Sequence, residues 1–110
     1  MNEPRRPYAH DAVLVFGPDE DDRAPGGAIT TALCGHWEHE PPCPLAAHYT
    51  GVTRAGDRLR LHILFAAAPA DEVEVRRRID QALSSRWQVA GSGPGVIAAD
   101  EQAHAARLTA

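Results

Sequence analysis

Two cysteines and three histidines fall within fifteen consecutive residues, in the segment CGHWEHEPPCPLAAH that spans residues 34–48. The whole chain has only two cysteines and six histidines, so most of these residues lie in one short segment. Thiolates and neutral imidazoles are side chains that bind zinc in proteins, four at a structural site and three plus a water at a catalytic one. The crowding therefore predicts a metal site with the candidate ligands Cys34, His36, His39, Cys43 and His48.

The spacing of these residues favours one ion that is held by four of them. Successive candidates are separated by one, two, three and four residues, which keeps them within reach of a shared ion. Pro41, Pro42 and Pro44 flank Cys43 and restrict the backbone, so closing the segment on an ion costs less conformational entropy. The spacing matches neither a zinc finger nor an HExxH helix. Zinc is the expected cofactor, and copper and nickel stay open because affinity alone separates these ions poorly.

Three other interpretations of this segment stay open. In the first, the histidines are surface residues and Cys34 is a small buried apolar residue. In the second, Cys34 and Cys43 form a disulfide, which a reducing compartment disfavours. In the third, the metal is catalytic, and Glu38 or Glu40 acts as a general base on a metal-bound water in a hydrolase-like reaction. We expect a structural or interaction role instead of an enzyme, because thiolate-rich ligand sets tend to close the coordination sphere.

Charge and apolar patterning limit the classes of partner. The formal net charge is -4 and the eleven basic residues, all arginine, do not cluster on one face, so no nucleic-acid partner is expected. The absence of lysine excludes Schiff-base and phosphate-loop lysine chemistry. No apolar run is long enough for a secretory signal or a membrane span, so we expect a cytoplasmic protein with no membrane partner. A protein partner, or a metal-free module that forms a homodimer through a sheet edge, is an alternative function.

Alternating and β-branched apolar residues predict five strands. In the fourth strand Leu59, Leu61, Ile63 and Phe65 share one face. His62 lies on the other face, where we expect an ordinary exposed or hydrogen-bonded histidine. The five predicted strands cover residues 12–16, 28–35, 47–54, 58–66 and 86–90.

The second and third predicted strands position the candidate ligands. Cys34 and His36 are two residues apart at the end of a strand, so both are expected on the same face. His48 begins the next strand, which returns antiparallel toward Cys34. The turn at residues 55–57 contains Gly56 and joins that strand to the fourth in a hairpin. The Cys/His segment is therefore expected to be a loop whose two ends carry ligands.

Two helices complete the expected fold. Residues 69–87 begin with a proline and two acidic residues and carry an apolar stripe at Val75, Ile79, Ala82 and Leu83. Residues 98–108 form a short, alanine-rich C-terminal helix, and the GSGPG run before it is expected to be a loop.

These elements predict the α+β class, with a mostly antiparallel sheet of four to five strands, one main helix packed on one face and a short C-terminal helix. The chain is expected to be a single domain over residues 1–110, as its length suggests. Residues 1–10 and 18–27 are expected to be mobile, because the first stretch lacks periodicity and the second is acidic and rich in glycine and proline.

Three runs carry a resemblance to a family. GHWEHEPPC at residues 35–43, LRLHILFAAAP at 59–69 and RWQVAGSGPG at 86–95 resemble small single-domain proteins of high-GC bacteria with a GHWEHE-type motif. The resemblance covers most of residues 12–108. It implies a small single domain and transfers no catalytic residue or substrate, so the metal-site prediction depends on the residues alone.

Overall fold

The computed structural model describes residues 4–34 and 47–109, which form one antiparallel sheet with helices on both faces. A 3₁₀ turn precedes each of the last two helices, at Pro69–Asp71 and at Ala99–Glu101. The strands and helices are β1 Arg6–Val15, α1 Ala24–Cys34, β2 Ala47–Ala55, β3 Arg58–Ala67, α2 Glu72–Ser84, β4 Val89–Gly95 and α3 Gln102–Leu108.

The order of the strands in the sheet is β2-β3-β1-β4, and every neighbouring pair is antiparallel. Because β3 is antiparallel to both β1 and β2, these two strands are parallel to each other and α1 connects them across β3. The succession β-α-β-β-α-β with this strand order is the split βαβ, or ferredoxin-like, arrangement. The predicted α+β class, with one antiparallel sheet, a main helix and a short C-terminal helix, is therefore confirmed.

One face of the sheet carries the hydrophobic core beneath α1 and α2. Strand pairing aligns Leu14 of β1 with Leu59 of β3, and Ala12 with Leu61, so their side chains share this face. The predicted alternation of β3 and the predicted stripe of α2 are both confirmed. The core is formed by Ala12, Leu14, Phe16, Ile29, Leu33, Leu59, Leu61, Ile63, Phe65, Ala67, Val75, Ile79 and Leu83.

The opposite face of the sheet is covered over part of its length by α3. Leu64 of β3 and Ala9 of β1 are buried at that end, as is Ala105 of α3. Farther along the same face, a groove of about 500 Å³ opens over β1, β2 and β3. The two faces therefore differ in cover, since two long helices close one and a single seven-residue helix lies on the other.

The prediction of a strand at residues 28–35 is wrong, because residues 24–34 form α1. The alternating apolar pattern of a short run does not separate a strand from a buried helix. Ile29 and Leu33 are both fully buried and lie four residues apart, which is the spacing of neighbours on one helical face. Topology also requires the helix, since parallel strands such as β1 and β2 need a crossover connection.

The prediction of a loop at residues 91–95 is also wrong, because these residues continue β4. Glycine and proline disfavour a central strand, but β4 lies at the edge of the sheet, where both are tolerated. At the other end of the chain β1 begins at Arg6, six residues before the predicted strand.

Other local predictions are confirmed. Gly56 has a φ of 62° in the tight turn between β2 and β3, a conformation that glycine adopts without steric cost. On α2 the predicted pairs of residues four apart form, with Arg76 on Glu72 and Arg78 on Glu74 at 3.0 Å each.

Candidate functional site

The predicted metal ligands fall partly outside the described residues. Cys34 is the last residue of α1, and His48 is the second residue of β2. Because Cys34 ends a helix, the strand alternation from which it was expected to share a face with His36 does not apply at Cys34. The remaining ligand candidates and both general-base candidates, His36, Glu38, His39, Glu40 and Cys43, lie outside the described residues.

His48 lies on the helix-covered face of the sheet and contacts α1. Its Nε2 atom is 3.0 Å from Oγ1 of Thr30, so the imidazole and the hydroxyl share a hydrogen bond. Gly26 lies four residues before Thr30, and a Cβ atom on it would be 3.7 Å from Cβ of Thr50. Gly26 and Thr30 of α1 therefore pack along β2, and Cys34 ends the helix four residues after Thr30.

A second polar cluster is centred on His62, on the open face of the sheet. Its Nδ1 atom is 2.5 Å from Oδ1 of Asp11, the residue paired with it across β1 and β3. Its Nε2 atom is 2.8 Å from Oε1 of Glu101, at the end of the turn that leads into α3. Since a carboxylate accepts at both ring nitrogens, both nitrogens donate and the ring is an imidazolium in this arrangement.

The two carboxylates raise the pKa of the His62 ring, and the ring in turn helps to lower the pKa of Glu101. Partial burial acts to lower the pKa of His62, but the hydrogen bonds and charges of Asp11 and Glu101 outweigh it and raise that pKa above its usual 6.5. The pKa of Glu101 is lowered by the backbone N–H of Ala98, which donates to its carboxylate, and next by His62. The two shifts therefore widen the pH range over which the imidazolium and the carboxylate are both charged.

Gly95 of β4 makes room for the Asp11 carboxylate. A Cβ atom at Gly95 would lie 2.5 Å from Oδ2 and 2.7 Å from Oδ1 of Asp11, too close for any side chain to coexist with that position. Gly91 and Gly93 lie on the same strand, and a Cβ atom on either would meet nothing within 4 Å. The Asp11 carboxylate can therefore occupy this position because residue 95 is a glycine.

The groove on the open face begins at this cluster. Asp11 and His62 line it together with Val13, Thr53 and Arg60. The guanidinium of Arg60 forms no ion pair with any residue in the described part of the chain. The two ring nitrogens of His62 point to opposite sides, so Asp11 and Glu101 do not converge on a common point. Among the described residues, no group of three or more His, Cys, Asp or Glu side chains is arranged to hold a metal ion.

A third cluster surrounds His10, which is buried beneath α2 on the core face of β1. Nη1 of Arg76 donates to Nδ1 of His10 at 3.0 Å and to the carbonyl oxygen of Ala9 at 2.8 Å. Nε2 of His10 is 2.9 Å from Oδ1 of Asp80 and 3.0 Å from Oγ of Ser92, and the serine hydroxyl donates to the same aspartate.

This third cluster contains serine, histidine and aspartate, but it lacks the geometry of a nucleophilic triad. In a triad the base accepts the serine proton at one ring nitrogen and is oriented by the acid at the other. Here Asp80 and Ser92 share Nε2 of His10, and Nδ1 is occupied by Arg76, a residue that can only donate. Nε2 of His10 therefore carries the proton, and the cluster holds β1, β4 and α2 together.

Sequence patterns gave little sign of the His10 and His62 clusters. The expectation that His62 is a hydrogen-bonded histidine is confirmed. Its partners could not be named from the sequence, since they are 51 and 39 residues away along the chain. Such partners are set by strand register and by the docking of α3, which no local spacing reveals.

Comparison with protein-family models and with curated proteins finds no match for this chain. In the part of the chain that the structure describes, no helix has the length and apolarity needed to cross a membrane. A ferredoxin-like arrangement hosts many unrelated activities, so function has to be argued from particular residues.

Proposed function

We propose that this chain is a small metal-binding domain whose ion has a structural or interaction role. The ion is zinc, the metal that a mixed set of thiolates and imidazoles suits best. The observation that carries the proposal is the hydrogen bond between Thr30 and His48, which ties the start of β2 to the last turns of α1. Its ligands are four of Cys34, His36, His39, Cys43 and His48.

The packing of α1 on β2 supports the proposal. Thr30 meets His48, and Cys34 lies one helical turn farther along α1, a rise of about 6 Å. The chain thus leaves α1 and enters β2 at neighbouring points, each marked by a candidate ligand. The thirteen residues between Cys34 and His48 contain the three other candidates, His36, His39 and Cys43.

The Thr30 hydroxyl is also positioned to orient the imidazole ring of His48. Histidines that bind metals usually form a hydrogen bond through the ring nitrogen that does not bind the ion, and this bond fixes the ring. The Thr30 hydroxyl, 3.0 Å from Nε2 of His48, would provide such a bond to the ring. Cys34 and Cys43 would bind as thiolates, which is the ligand form of cysteine.

Metal analysis tests the proposal directly. We expect the untagged protein to carry close to one zinc per chain by mass spectrometry, and its cobalt-substituted form to show thiolate charge-transfer absorption. A labile ion with an exchangeable water would instead support a catalytic site with Glu38 or Glu40 as base. A metal-free folded protein whose melting is unchanged by chelators would overturn the proposal and favour the metal-free interaction module.

Two variants distinguish a metal site from a cysteine that is merely buried. Cys43→Ser is expected to lower the stability of the zinc-loaded protein sharply and to abolish the difference between loaded and chelated samples, because metal-binding energy is partly folding energy. Thr30→Val keeps every ligand and is expected to weaken zinc binding by about 10- to 100-fold through loss of ring orientation. Thr31→Val, at an exposed position of the same helix, is the matched control and should leave zinc affinity unchanged.

A further inference from the structure

We propose that His62 is a pH-sensitive latch, which holds the C-terminal 3₁₀ turn and α3 on the sheet while its ring is protonated and loosens them when the proton is lost. The latch lies on the opposite face of the sheet from His48 and is independent of the proposed metal site. Its parts come from three elements, with Asp11 on β1, His62 on β3 and Glu101 in the turn.

The latch depends on two protons being on the ring at once. A protonated imidazole donates from both nitrogens, which matches the two carboxylates that face it. A neutral imidazole has a single N–H, so one nitrogen would turn its lone pair toward a carboxylate oxygen at hydrogen-bond distance. Deprotonation therefore breaks one of the two bonds and places like charge density at that position.

The bond to Glu101 is the one we expect to break. Asp11 lies in a central strand and its carboxylate lies over Gly95, whereas Glu101 belongs to a short turn at the end of the chain. Oε1 of Glu101 also accepts the N–H of Ala98 at 2.8 Å and so closes the turn from which α3 begins. Losing the bond to His62 thus acts directly on the start of α3.

Within the described part of the chain, α3 packs on β1 and β3 with little buried side-chain area. Ala105 is its one buried residue, and the ring of His104 meets the ring of Tyr49 with centroids 4.7 Å apart. A helix of seven residues is too short to be stable without such contacts. Release of the turn would therefore expose the apolar end of this face at Leu64 and Ala9.

The charged and titratable groups around the ring favour the cation. Two carboxylates contact it directly, and the guanidinium of Arg60 is the nearest cation on its own strand and face. Strand β4 contributes only glycines to this face, and β2 contributes Gly51 beside the ring. Asp11 and Glu101 contact the ring. The other charged or titratable groups on nearby positions of this face, the turn and α3 are Tyr49, Arg60, Asp100 and His104.

The direction of the pH effect follows from the raised pKa of His62. The stabilisation is complete below the usual histidine pKa of 6.5 and is lost as the pH rises through the higher folded-state pKa. On the acid side, the lowered pKa of Glu101 keeps its carboxylate charged below the usual 4.5. The latch is therefore closed on the acid side of the folded-state pKa of His62 and opens as the pH rises through it.

Amide hydrogen exchange of α3 is the test, with NMR of the His62 ring nitrogens in the same samples. We expect the protection of residues 105–108, corrected for intrinsic exchange, to fall by about three- to tenfold when the pH rises through the pKa of His62. Both ring nitrogens of His62 should be protonated at pH values where a free histidine is already neutral.

Two glycine variants of β4 sharpen the test. In Gly95→Ala the new Cβ atom displaces the Asp11 carboxylate, so the pKa of His62 should fall and the loss of α3 protection should move to lower pH. Gly93→Ala makes the same change on the same face of the strand into open space and should leave both unchanged. If Gly95→Ala does not fold, Asp11→Asn removes the same charge and is expected to give the same shift.

Protection of α3 that stays constant while His62 titrates would overturn the proposal. Equal effects of Gly95→Ala and Gly93→Ala on the pKa of His62 would also overturn it, since the role assigned to Asp11 would then be absent.

Discussion

His10 and His62 are one residue type in one sheet with opposite surroundings. They lie on the neighbouring central strands β1 and β3 and on opposite faces of the sheet. His10 is closed off beneath α2, where Arg76 donates to its Nδ1 atom. His62 lies beneath the short C-terminal turn, where Asp11 and Glu101 accept from both of its nitrogens.

The comparison teaches that the hydrogen-bond partners decide what each histidine can do. A guanidinium on Nδ1 leaves His10 one proton to donate, and a fixed network of β1, α2 and β4 results. Two carboxylates require a second proton on His62 and make its bonds depend on pH. The hydrogen bonds of His10 on the helix-covered face therefore need no change of protonation, whereas those of His62 on the open face depend on its second proton.

The largest expected effect tests whether the two faces differ in stability. Ile79→Ala removes a fully buried side chain of α2 from the core and is expected to lower the free energy of unfolding by about 2–5 kcal/mol. Leu108→Ala, at a half-buried position of α3, should cost only about 1 kcal/mol. Denaturant unfolding measures both, and equal losses would contradict the difference in cover.

The next largest effect concerns the His10 cluster. His10→Ala leaves a cavity and removes a partner from Arg76 and Asp80, so we expect a loss of about 2–3 kcal/mol. Ser92→Ala is the control, because its hydroxyl is exposed and Asp80 keeps the bond to His10, and it should cost about 0.5–1 kcal/mol.

The assignment of the His10 tautomer has a separate readout. The ring should show one protonated nitrogen, Nε2, and one unprotonated nitrogen, Nδ1, by nitrogen NMR at neutral pH. A doubly protonated His10 ring under these conditions would contradict the difference drawn between the two histidines.

Much of the fold could be predicted because its elements have strong local patterns. Strand β3 alternates over Leu59 to Phe65, and α2 has both a clear apolar stripe and acidic residues at its start. Helix α1 was missed because the weak apolar pattern over residues 28–34 fits both the two-residue period of a strand and the 3.6-residue period of a helix. Only the need for a crossover between the parallel strands β1 and β2 favours the helix. Strand β4 was predicted at residues 86–90 but is formed by Val89–Gly95, because the GSGPG run is tolerated in a strand only at a sheet edge.

The candidate sites were harder to predict, for a physical reason. The Cys/His segment is visible in the sequence because its members are close along the chain, and that prediction is still to be tested. The cluster of Asp11, His62 and Glu101 joins residues brought together by strand register and helix docking. The close approach of the Asp11 carboxylate to Gly95 is a property of the folded sheet, so no sequence pattern distinguishes Gly95 from Gly93.

The smallest expected effect is the contribution of His62 to the pH dependence of global stability, and it tests the difference between His62 and His10 most directly. The parent protein should lose stability as the pH rises from about 6.5 through the raised pKa of His62, since the unfolded chain releases that proton first. His62→Gln has no titrating ring, so this part of the pH dependence should disappear. The side chain is 36% exposed and its charges are screened, which limits the difference to under about 1 kcal/mol.

Salt and pH together separate this electrostatic effect from a packing effect. Added salt should reduce the pH-dependent part of the parent's stability, because exposed charge pairs are screened by ions, and should leave His62→Gln nearly unchanged. A loss in His62→Gln that is the same at pH 6 and at pH 9 would mean that the ring acts by packing alone. His62 would then be a fixed contact like His10, and the two faces of the sheet would no longer differ in their response to pH.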